Sequence, residues 1–477
     1  MQLAVAFAVL AALAPIDAAE TVLGAYIFHR HGDRSPKSLP PTNLTTLGYE
    51  QSYTSGQYYR SRYLRGSSKI RGINEDQVKL SQLSITAPVD NVLQNSATGF
   101  LQGLYPPVGQ SVQTLANGRG VQAPMDGYQL IPVNTISTGA GSEDVGWLQD
   151  VSSCTNAKLS SNSYFTSEEY RHLKSNTKAF YSSLVPVVKD TLDEADVNYK
   201  NAYIIFDLIN VATIHNSSIP SSDVLTNETL TQARTLANAH EFGLAYNNSD
   251  VARAMSGKQL AGEILEYMNS TITAGTAGSS ANKLSIQFGA YATFLSFFGL
   301  VGLPKAHIDF TGVPDYASSM AFELFTDANV ESGFPSTDDV QVRFLFHNGT
   351  ASNSSQPSVY PLFGGSANTM SFTDFSAKLG EFAISTTEAW CRECGNTDGA
   401  CAAYASTKDN NHAPLQQDRD SNGMSAAVGG VIGAFVTLAV VLSGLFVVMM
   451  LGGFRIVSKR ALGAKPICDA ENIEEKA

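Results

Sequence analysis

The first residues that could do chemistry are two arginines that flank a histidine in the sequence RHGDRSP, at positions 30–36. The guanidinium groups of Arg30 and Arg34 each offer a planar fork of donors that suits the oxygens of a phosphate. A neutral imidazole nitrogen of His31 is nucleophilic and can attack phosphorus. The motif follows an apolar, β-rich stretch, Thr21 to Phe28. Because ligands collect at the carboxyl ends of strands in open α/β sheets, we predict an anion site there rather than a surface loop with chance basic residues.

The seven-residue motif matches the pattern RHGxRxP of the histidine acid phosphatases, the larger branch of the histidine phosphatase superfamily. The chain resembles this family in three further stretches, LTxxGxxQ at 44–51, NSATGFLQGLYPP at 95–107 and YASSMAFEL at 316–324. The resemblance covers most of the chain from Thr21 to about Tyr404. It implies hydrolysis of phosphomonoesters through a phosphohistidine, with His31 as the nucleophile, Arg30 and Arg34 as phosphate ligands, and no cofactor.

The alternation of apolar strand patterns with helical patterns predicts an α/β layer fold. Predicted strands lie at 21–28, 79–86, 203–208, 283–287, 317–325 and 340–347, and predicted helices at 46–64, 90–104, 167–192, 290–300 and 371–379. The resemblance implies a mixed-sheet core of the phosphoglycerate-mutase type with a mostly helical cap inserted in it. We expect the core at about 20–107 and 256–403 and the cap at about 108–255.

Two positions depart from the family pattern. The family places a third phosphate-binding arginine just before the helix that ends in GLYPP, where this chain has Asn91. An amide can still donate a hydrogen bond, but charge-assisted bonds are roughly twice as strong as neutral ones. The family also has a His-Asp or His-Glu pair before a later apolar helix, and its acid protonates the leaving group. Here that place is occupied by Gln287 and Phe288, or by Phe288 and Gly289, and neither alignment supplies a proton donor.

Other acidic groups could substitute for the missing acid. Asp33 lies inside the motif, and the sequence contains the acid-bearing pairs His240-Glu241 and His307-Asp309. Both pairs lie at the wrong place relative to the apolar helix, and exposed or core-satisfied histidines are the commoner case. We expect His29 to pack at the end of the first strand.

Two hypotheses from different classes follow. The first is a phosphatase with an altered proton donor, which would act best on small phosphomonoesters with a good leaving group. The second is a catalytically impaired surface glycoprotein that binds a phosphorylated ligand or a protein partner through the retained Arg30, His31 and Arg34. Clustered metal ligands are absent from the sequence pattern, so we predict no metal. The oligomeric state is left open.

Both ends of the chain carry targeting signals. An apolar run followed by small residues predicts a signal peptide at 1–19. An uncharged span at 426–451 is long enough to cross a bilayer core of about 30 Å, and basic residues follow it. We predict a type I protein with an ectodomain at 20–403, a polar stalk at 404–425, that single transmembrane helix, and a cytosolic tail at 452–477. Both the cell surface and a vacuole-like membrane fit; a GPI signal fits less well.

The predicted ectodomain contains seven N-x-Ser/Thr sequons, which are candidate glycosylation sites in the secretory pathway. They lie at Asn43, Asn216, Asn227, Asn247, Asn269, Asn348 and Asn353. Four of the five cysteines also lie there, Cys154, Cys391, Cys394 and Cys401. An even number in an oxidising compartment predicts up to two disulfides of open connectivity, with zinc binding by Cys391-x-x-Cys394 as the alternative.

The composition limits the classes of protein that the chain can represent. Of 477 residues, 43% are hydrophobic and 16% are charged, which fits a folded protein and argues against long disorder. The formal net charge is −12, from 31 Lys and Arg against 43 Asp and Glu. An acidic chain is a poor candidate for general nucleic-acid binding, although a small basic pocket remains compatible with it.

Overall fold

The computed structural model describes residues 20–109, 112–136, 153–215 and 222–405. The predicted signal peptide, the transmembrane span, the cytosolic tail and nearly all of the stalk lie outside these residues, as does Asn216. Within the four described ranges, no helix is long and apolar enough to cross a membrane.

A mixed β-sheet forms the centre of the described structure. The strands are β1 Thr21–Arg30, β2 Leu83–Pro88, β3 Val112–Thr114, β4 Gly120–Gln122, β5 Asn134–Ile136, β6 Leu284–Gly289, β7 Ser319–Thr326, β8 Gln341–His347, β9 Ser358–Val359 and β10 Thr369–Ser371. The main sheet has the order β10-β8-β7-β1-β6-β2-β5, and β9 pairs with β8. Strand β1 runs parallel to β6 and antiparallel to β7, so the strand before the RHGDRSP motif is central.

Helices connect the strands and cover the sheet. They are α1 Thr46–Tyr59, α2 Asn91–Leu104, α3 Pro124–Gly127, α4 Thr155–Ser163, α5 Glu168–Asn176, α6 Lys178–Val188, α7 Ala202–Ile214, α8 Asn227–Ala245, α9 Met255–Thr276, α10 Tyr291–Leu300, α11 Phe372–Gly380 and α12 Thr387–Cys394. Helix α2 begins where Asp90 accepts hydrogen bonds from two backbone N–H groups of its first turn. Helices α4–α9 all lie between β5 and β6 in the sequence.

Two hydrophobic layers form on the two faces of the sheet. Along β1 the side chains alternate, as a strand requires. Tyr26 and Phe28 pack with residues of α9, α10 and α11, whereas Ala25 and Ile27 pack with residues of α1 and α2. All four are buried. Because β1 is covered on both faces, the residues that follow it are positioned by a rigid part of the fold.

Most predicted elements are present, with one informative exception. The predicted strand at 203–208 is wrong, because these residues belong to helix α7, Ala202–Ile214. The run YIIFDL has β-type residues, but it lies inside α7, whose buried residues Ala202, Ile205 and Ile209 pack with the neighbouring helices. Tertiary packing therefore overrides the local strand propensity.

Four cysteines form two disulfide bonds. Cys154 pairs with Cys394, and Cys391 pairs with Cys401. The two cysteines of the Cys391-x-x-Cys394 motif thus have different partners, and the zinc alternative is wrong for this motif because neither sulfur is a free thiolate. Disulfides fit folding in the secretory pathway. Of the six described sequon residues, Asn247 is half-buried and the other five are exposed.

Candidate active site

His31 lies directly beyond the carboxyl end of β1 and is fully buried. Its Nδ1 is 2.8 Å from the carbonyl oxygen of Gly32. A carbonyl can only accept, so this contact places a proton on Nδ1 and the ring's lone pair on Nε2. The tautomer is thereby the one in which Nε2 is the nucleophilic atom.

The start of helix α1 holds the loop that carries His31. The backbone N–H of Asp33 donates to Oε1 of Gln51 at 2.8 Å, and Oγ1 of Thr45 donates to the Asp33 carbonyl at 3.3 Å. A Cβ at Gly48 would lie 2.0 Å from the Asp33 carbonyl oxygen, so only glycine permits this approach of helix to loop. The pattern LTxxGxxQ at 44–51 therefore has a direct function, which is to fix the motif loop.

Arg30 ends β1 with its side chain buried among polar and aromatic groups. Its Nη1 donates to the Pro314 carbonyl, and its Nη2 donates to the Tyr203 hydroxyl at 3.5 Å. The guanidinium carbon lies 4.7 Å from the ring centre of Tyr316 and 5.4 Å from that of Tyr291. These ring contacts are cation–π interactions, which hold the guanidinium plane without neutralising its charge.

Arg34 is fully buried and forms an ion pair with Asp207 of helix α7. Its Nη1 donates to both carboxylate oxygens, at 3.0 and 3.1 Å, and to the Ser35 carbonyl at 3.1 Å. The carboxylate also accepts from the Lys37 backbone N–H at 2.8 Å and from the Tyr316 hydroxyl at 3.3 Å. The Asp207 carboxylate thus binds the Arg34 guanidinium, which the motif predicts to be a phosphate ligand.

Helix α7 and the residue directly after it supply three side chains to the motif loop. Tyr203 and Asp207 are four residues apart and share one face of the helix. The Tyr203 hydroxyl accepts from Nη2 of Arg34 at 3.4 Å. At the C-terminal end of the helix, Nε2 of His215 lies 2.6 Å from Oδ2 of Asp33. Asp33, one of the proposed substitute acids, is therefore paired with a histidine that the sequence interpretation did not consider.

Asn91, which the resemblance puts at the position of the family's third arginine, is exposed at the first turn of α2. Its Nδ2 donates to Oδ1 of Asn43 at 3.1 Å. The polar contact at this position is thus between two neutral side chains, and one of them belongs to a sequon.

The predicted proton-donor position lies within β6 and carries no acid. The Tyr26 hydroxyl donates to Oε1 of Gln287, and Phe288 packs on His29 with ring centres 5.3 Å apart. Gly289 pairs with Arg30. These residues belong to the buried strand, and the two that lead from it into helix α10 are Ala290 and Tyr291. Neither of these is an acid.

The two acid-bearing pairs lie in different places relative to the site. Oε2 of Glu241 accepts from the Tyr291 hydroxyl at 2.7 Å, and its Oε1 lies 2.8 Å from Nδ1 of His240. The His240–Glu241 pair therefore reaches the edge of the site through the Tyr291 ring. The other pair, His307 and Asp309, is mostly exposed.

Burial sets the protonation of the rings around the site. It raises the pKa of Tyr203 to about 12 and the pKa of Tyr316 well above its usual value, so both phenols remain hydrogen-bond donors at acid and neutral pH. Burial also lowers the pKa of His29 to about 3, and this ring packs between Phe100 and Phe288 as a neutral group. The described residues contain no group of three or more His, Cys, Asp or Glu side chains that could hold a metal.

The assembled geometry combines an oriented histidine, two buried guanidinium groups and one carboxylate that the sequence interpretation missed. Asp207 gave no signal, because an acid inside an apolar run resembles any other solvent-facing position. Tyr316 was visible only as part of the YASSMAFEL stretch. The centre of the Tyr316 ring lies 5.6 Å from that of His31. Tyr316 also contacts the guanidinium groups of both motif arginines and the Asp207 carboxylate, so it is the common neighbour of these groups.

Comparison with known proteins gives a consistent result. A family model described as "Histidine phosphatase superfamily (branch 2)" matches residues 38–347. Human prostatic acid phosphatase is 28% identical over 62% of this chain and 72% of its own length. Lysosomal acid phosphatase of Xenopus laevis is 26% identical over 78% of each chain. A phytase of Hafnia alvei, solved with tartrate, has a similar fold with a TM-score of 0.51 at 13% identity over 78% of this chain and 98% of its own. The chain is a member of the histidine phosphatase superfamily, branch 2.

Proposed function

We propose that this chain hydrolyses small phosphomonoesters through a phosphohistidine at His31. The observation that carries the proposal is the orientation of His31, whose Nδ1 is bound to the Gly32 carbonyl so that Nε2 keeps its lone pair. Arg30 and Arg34 flank it as buried cations suited to a phosphoryl group. The acid phosphatases that resemble this chain support the same reaction class.

In this reaction Nε2 of His31 attacks phosphorus, and the ester oxygen leaves. Arg30 and Arg34 balance the charge that accumulates on the phosphoryl oxygens, which is a large share of catalysis in phosphoryl transfer. Water then attacks the phosphohistidine and releases phosphate. The hydrogen bonds between Asp33 and the start of α1 keep the loop in place through both steps.

The location of this activity is also part of the proposal. We infer that the ectodomain faces the lumen of the secretory pathway or the cell exterior and that the span at 426–451 anchors it. The two disulfides support an oxidising compartment.

A second candidate function is phosphate binding without efficient turnover. It is supported by the sequence, in which the resemblance puts Gln287, Phe288 and Gly289 at the place of the proton donor and Asn91 at the place of a third arginine. Loss of general acid catalysis alone would cost about 10²–10⁴ in rate.

Hydrolysis of p-nitrophenyl phosphate by the purified full-length chain, measured from acid to neutral pH, separates the two. The His31→Ala variant is the test, and His172→Ala, an exposed histidine of α5, is the matched control. The proposal expects activity that His31→Ala abolishes and His172→Ala retains. Equal rates in the wild type and His31→Ala, with phosphate binding preserved, would leave only the binding function.

A further inference from the structure

The carboxylate of Asp207 occupies an unusual place for an anion. It is 2% exposed, lies on a helix of the insertion between β5 and β6, and contacts a guanidinium that is suited to phosphate. When a phosphate monoester dianion binds Arg34, the two anions share one cation, and like charges in a buried site disfavour each other.

Taking up a proton is the way in which Asp207 can remain beside a bound dianion. The groups that contact it are the Arg34 guanidinium, the Lys37 backbone N–H and the Tyr316 hydroxyl. The Arg30 guanidinium and the His31 ring lie against the Tyr316 ring, and the Lys37 ammonium lies over the Tyr203 ring. With a dianion bound, the guanidinium charges are shared with phosphate, and a proton held between the two anions removes their mutual repulsion. A protonated carboxyl group has an O–H to donate.

We propose that Asp207 is the general acid and base of the reaction, in place of the acid that is missing at the end of β6. This rests on the proposed phosphatase function. In the first step Nε2 of His31 forms a bond to phosphorus, the phosphorus–oxygen ester bond breaks, and the ester oxygen takes the proton of Asp207 to leave as an alcohol. In the second step water attacks phosphorus, Asp207 takes one of its protons, and the electron pair of the phosphorus–nitrogen bond returns to His31.

The other buried carboxylates are less suited to this function. Glu241 is separated from the arginines by the Tyr291 ring, whose hydroxyl donates to it. Asp33 directs Oδ2 to Thr45 and His215. Asp207 contacts the motif arginine Arg34 directly, through both of its carboxylate oxygens.

The test compares two substrates whose leaving groups differ in their need for a proton. An alkoxide leaves poorly without a proton, whereas p-nitrophenolate leaves readily, so loss of a general acid affects alkyl phosphates most. In the full-length chain, Asp207→Asn should lower kcat for β-glycerophosphate by about 10²–10⁴ and kcat for p-nitrophenyl phosphate by less than about tenfold. Asp207→Glu should recover part of the alkyl activity. Asp190→Asn, the same change at an exposed site of the insertion, should leave both rates unchanged.

A similar loss for both substrates, or no loss, would overturn the proposal while the phosphatase function, shown by His31→Ala, would stand. Absence of any His31-dependent hydrolysis in the wild type would overturn both. A second measurement uses only the wild-type protein, so it does not depend on whether the variant folds. Calorimetry of sulfate binding to the wild type, in two buffers of different ionisation enthalpy, should reveal proton uptake, because sulfate stays a dianion and the proton must go to the protein. Sulfate binding without proton uptake would contradict the proposal.

Discussion

The ion pair between Arg34 and Asp207 should be strongly coupled, because both side chains are almost completely buried. Removing one partner of a buried pair leaves an uncompensated charge and costs about 3–5 kcal/mol. Arg34→Ala and Asp207→Ala should each lower the free energy of unfolding by that amount, and the sum would be about 6–10 kcal/mol. The double variant removes both charges. Its loss of unfolding free energy should therefore be smaller than that sum by at least about 1.5 kcal/mol.

Urea denaturation of the four proteins at constant pH measures this coupling, provided that the slope with denaturant stays constant. The pair Arg392 and Glu388 on helix α12 is the control cycle, since both side chains are more than half exposed. Its coupling should be about 0.3–0.5 kcal/mol. If the double variant loses the sum of the two single losses to within about 0.5 kcal/mol, the reasoning is refuted, because independent sites behave in that way.

Three further predictions follow from local packing, covalent links and protonation. Gly48→Ala should destabilise the fold by about 1–3 kcal/mol and reduce hydrolysis, because the new Cβ would press on the Asp33 carbonyl; urea denaturation and p-nitrophenyl phosphate assays measure both. Cys154→Ser should lower the melting temperature more than Cys401→Ser, because the first disulfide spans 240 positions and the second only 10. The folded pKa of His29 is about 3, below its unfolded value of 6.5, so stability should fall as the pH drops from 6.5 towards 3. At pH 4.5 this loss is about 2–3 kcal/mol, and His29→Phe should remove it in denaturation curves recorded at several pH values.

Each of these has its own contradicting result. Gly380→Ala, where an added Cβ meets nothing within 4 Å, is the control for Gly48, and equal effects of the two would count against the steric reasoning. Equal shifts in melting temperature for the two cysteine variants would contradict the dependence on loop length. A wild type whose stability has the same pH profile as His29→Phe would show that His29 does not titrate as described.

The motif loop was predictable from sequence because its signals are local. A continuous apolar run that ends at a Gly- and Pro-containing motif indicates a buried strand followed by a loop, and β1 with His31 at its end has this arrangement. The helix after Asp90 was predictable from its N-cap and from Pro106 and Pro107, which follow its end. The disulfide pairing was not, since cysteine spacing leaves the connectivity open.

The proton donor depends on contacts between distant parts of the chain. Arg34 and Asp207 are 173 positions apart, and nothing in the local pattern brings them together. The sequence at 203–208 predicts a strand, and a strand would give Asp207 a different set of neighbours from those it has in helix α7. The helix shows why the carboxylate faces the loop: it shares a face with Tyr203, which contacts the same arginine.

The covalent intermediate is the most direct test of the phosphatase account. The full-length chain would be mixed with p-nitrophenyl phosphate, quenched within the first turnover by alkaline denaturant, which preserves phosphohistidine, and digested for mass spectrometry. The account predicts one phosphoryl group on the peptide that contains His31, and none in His31→Ala. A chain that turns over substrate with no phosphoryl group on His31, or with the group on another residue, would contradict it.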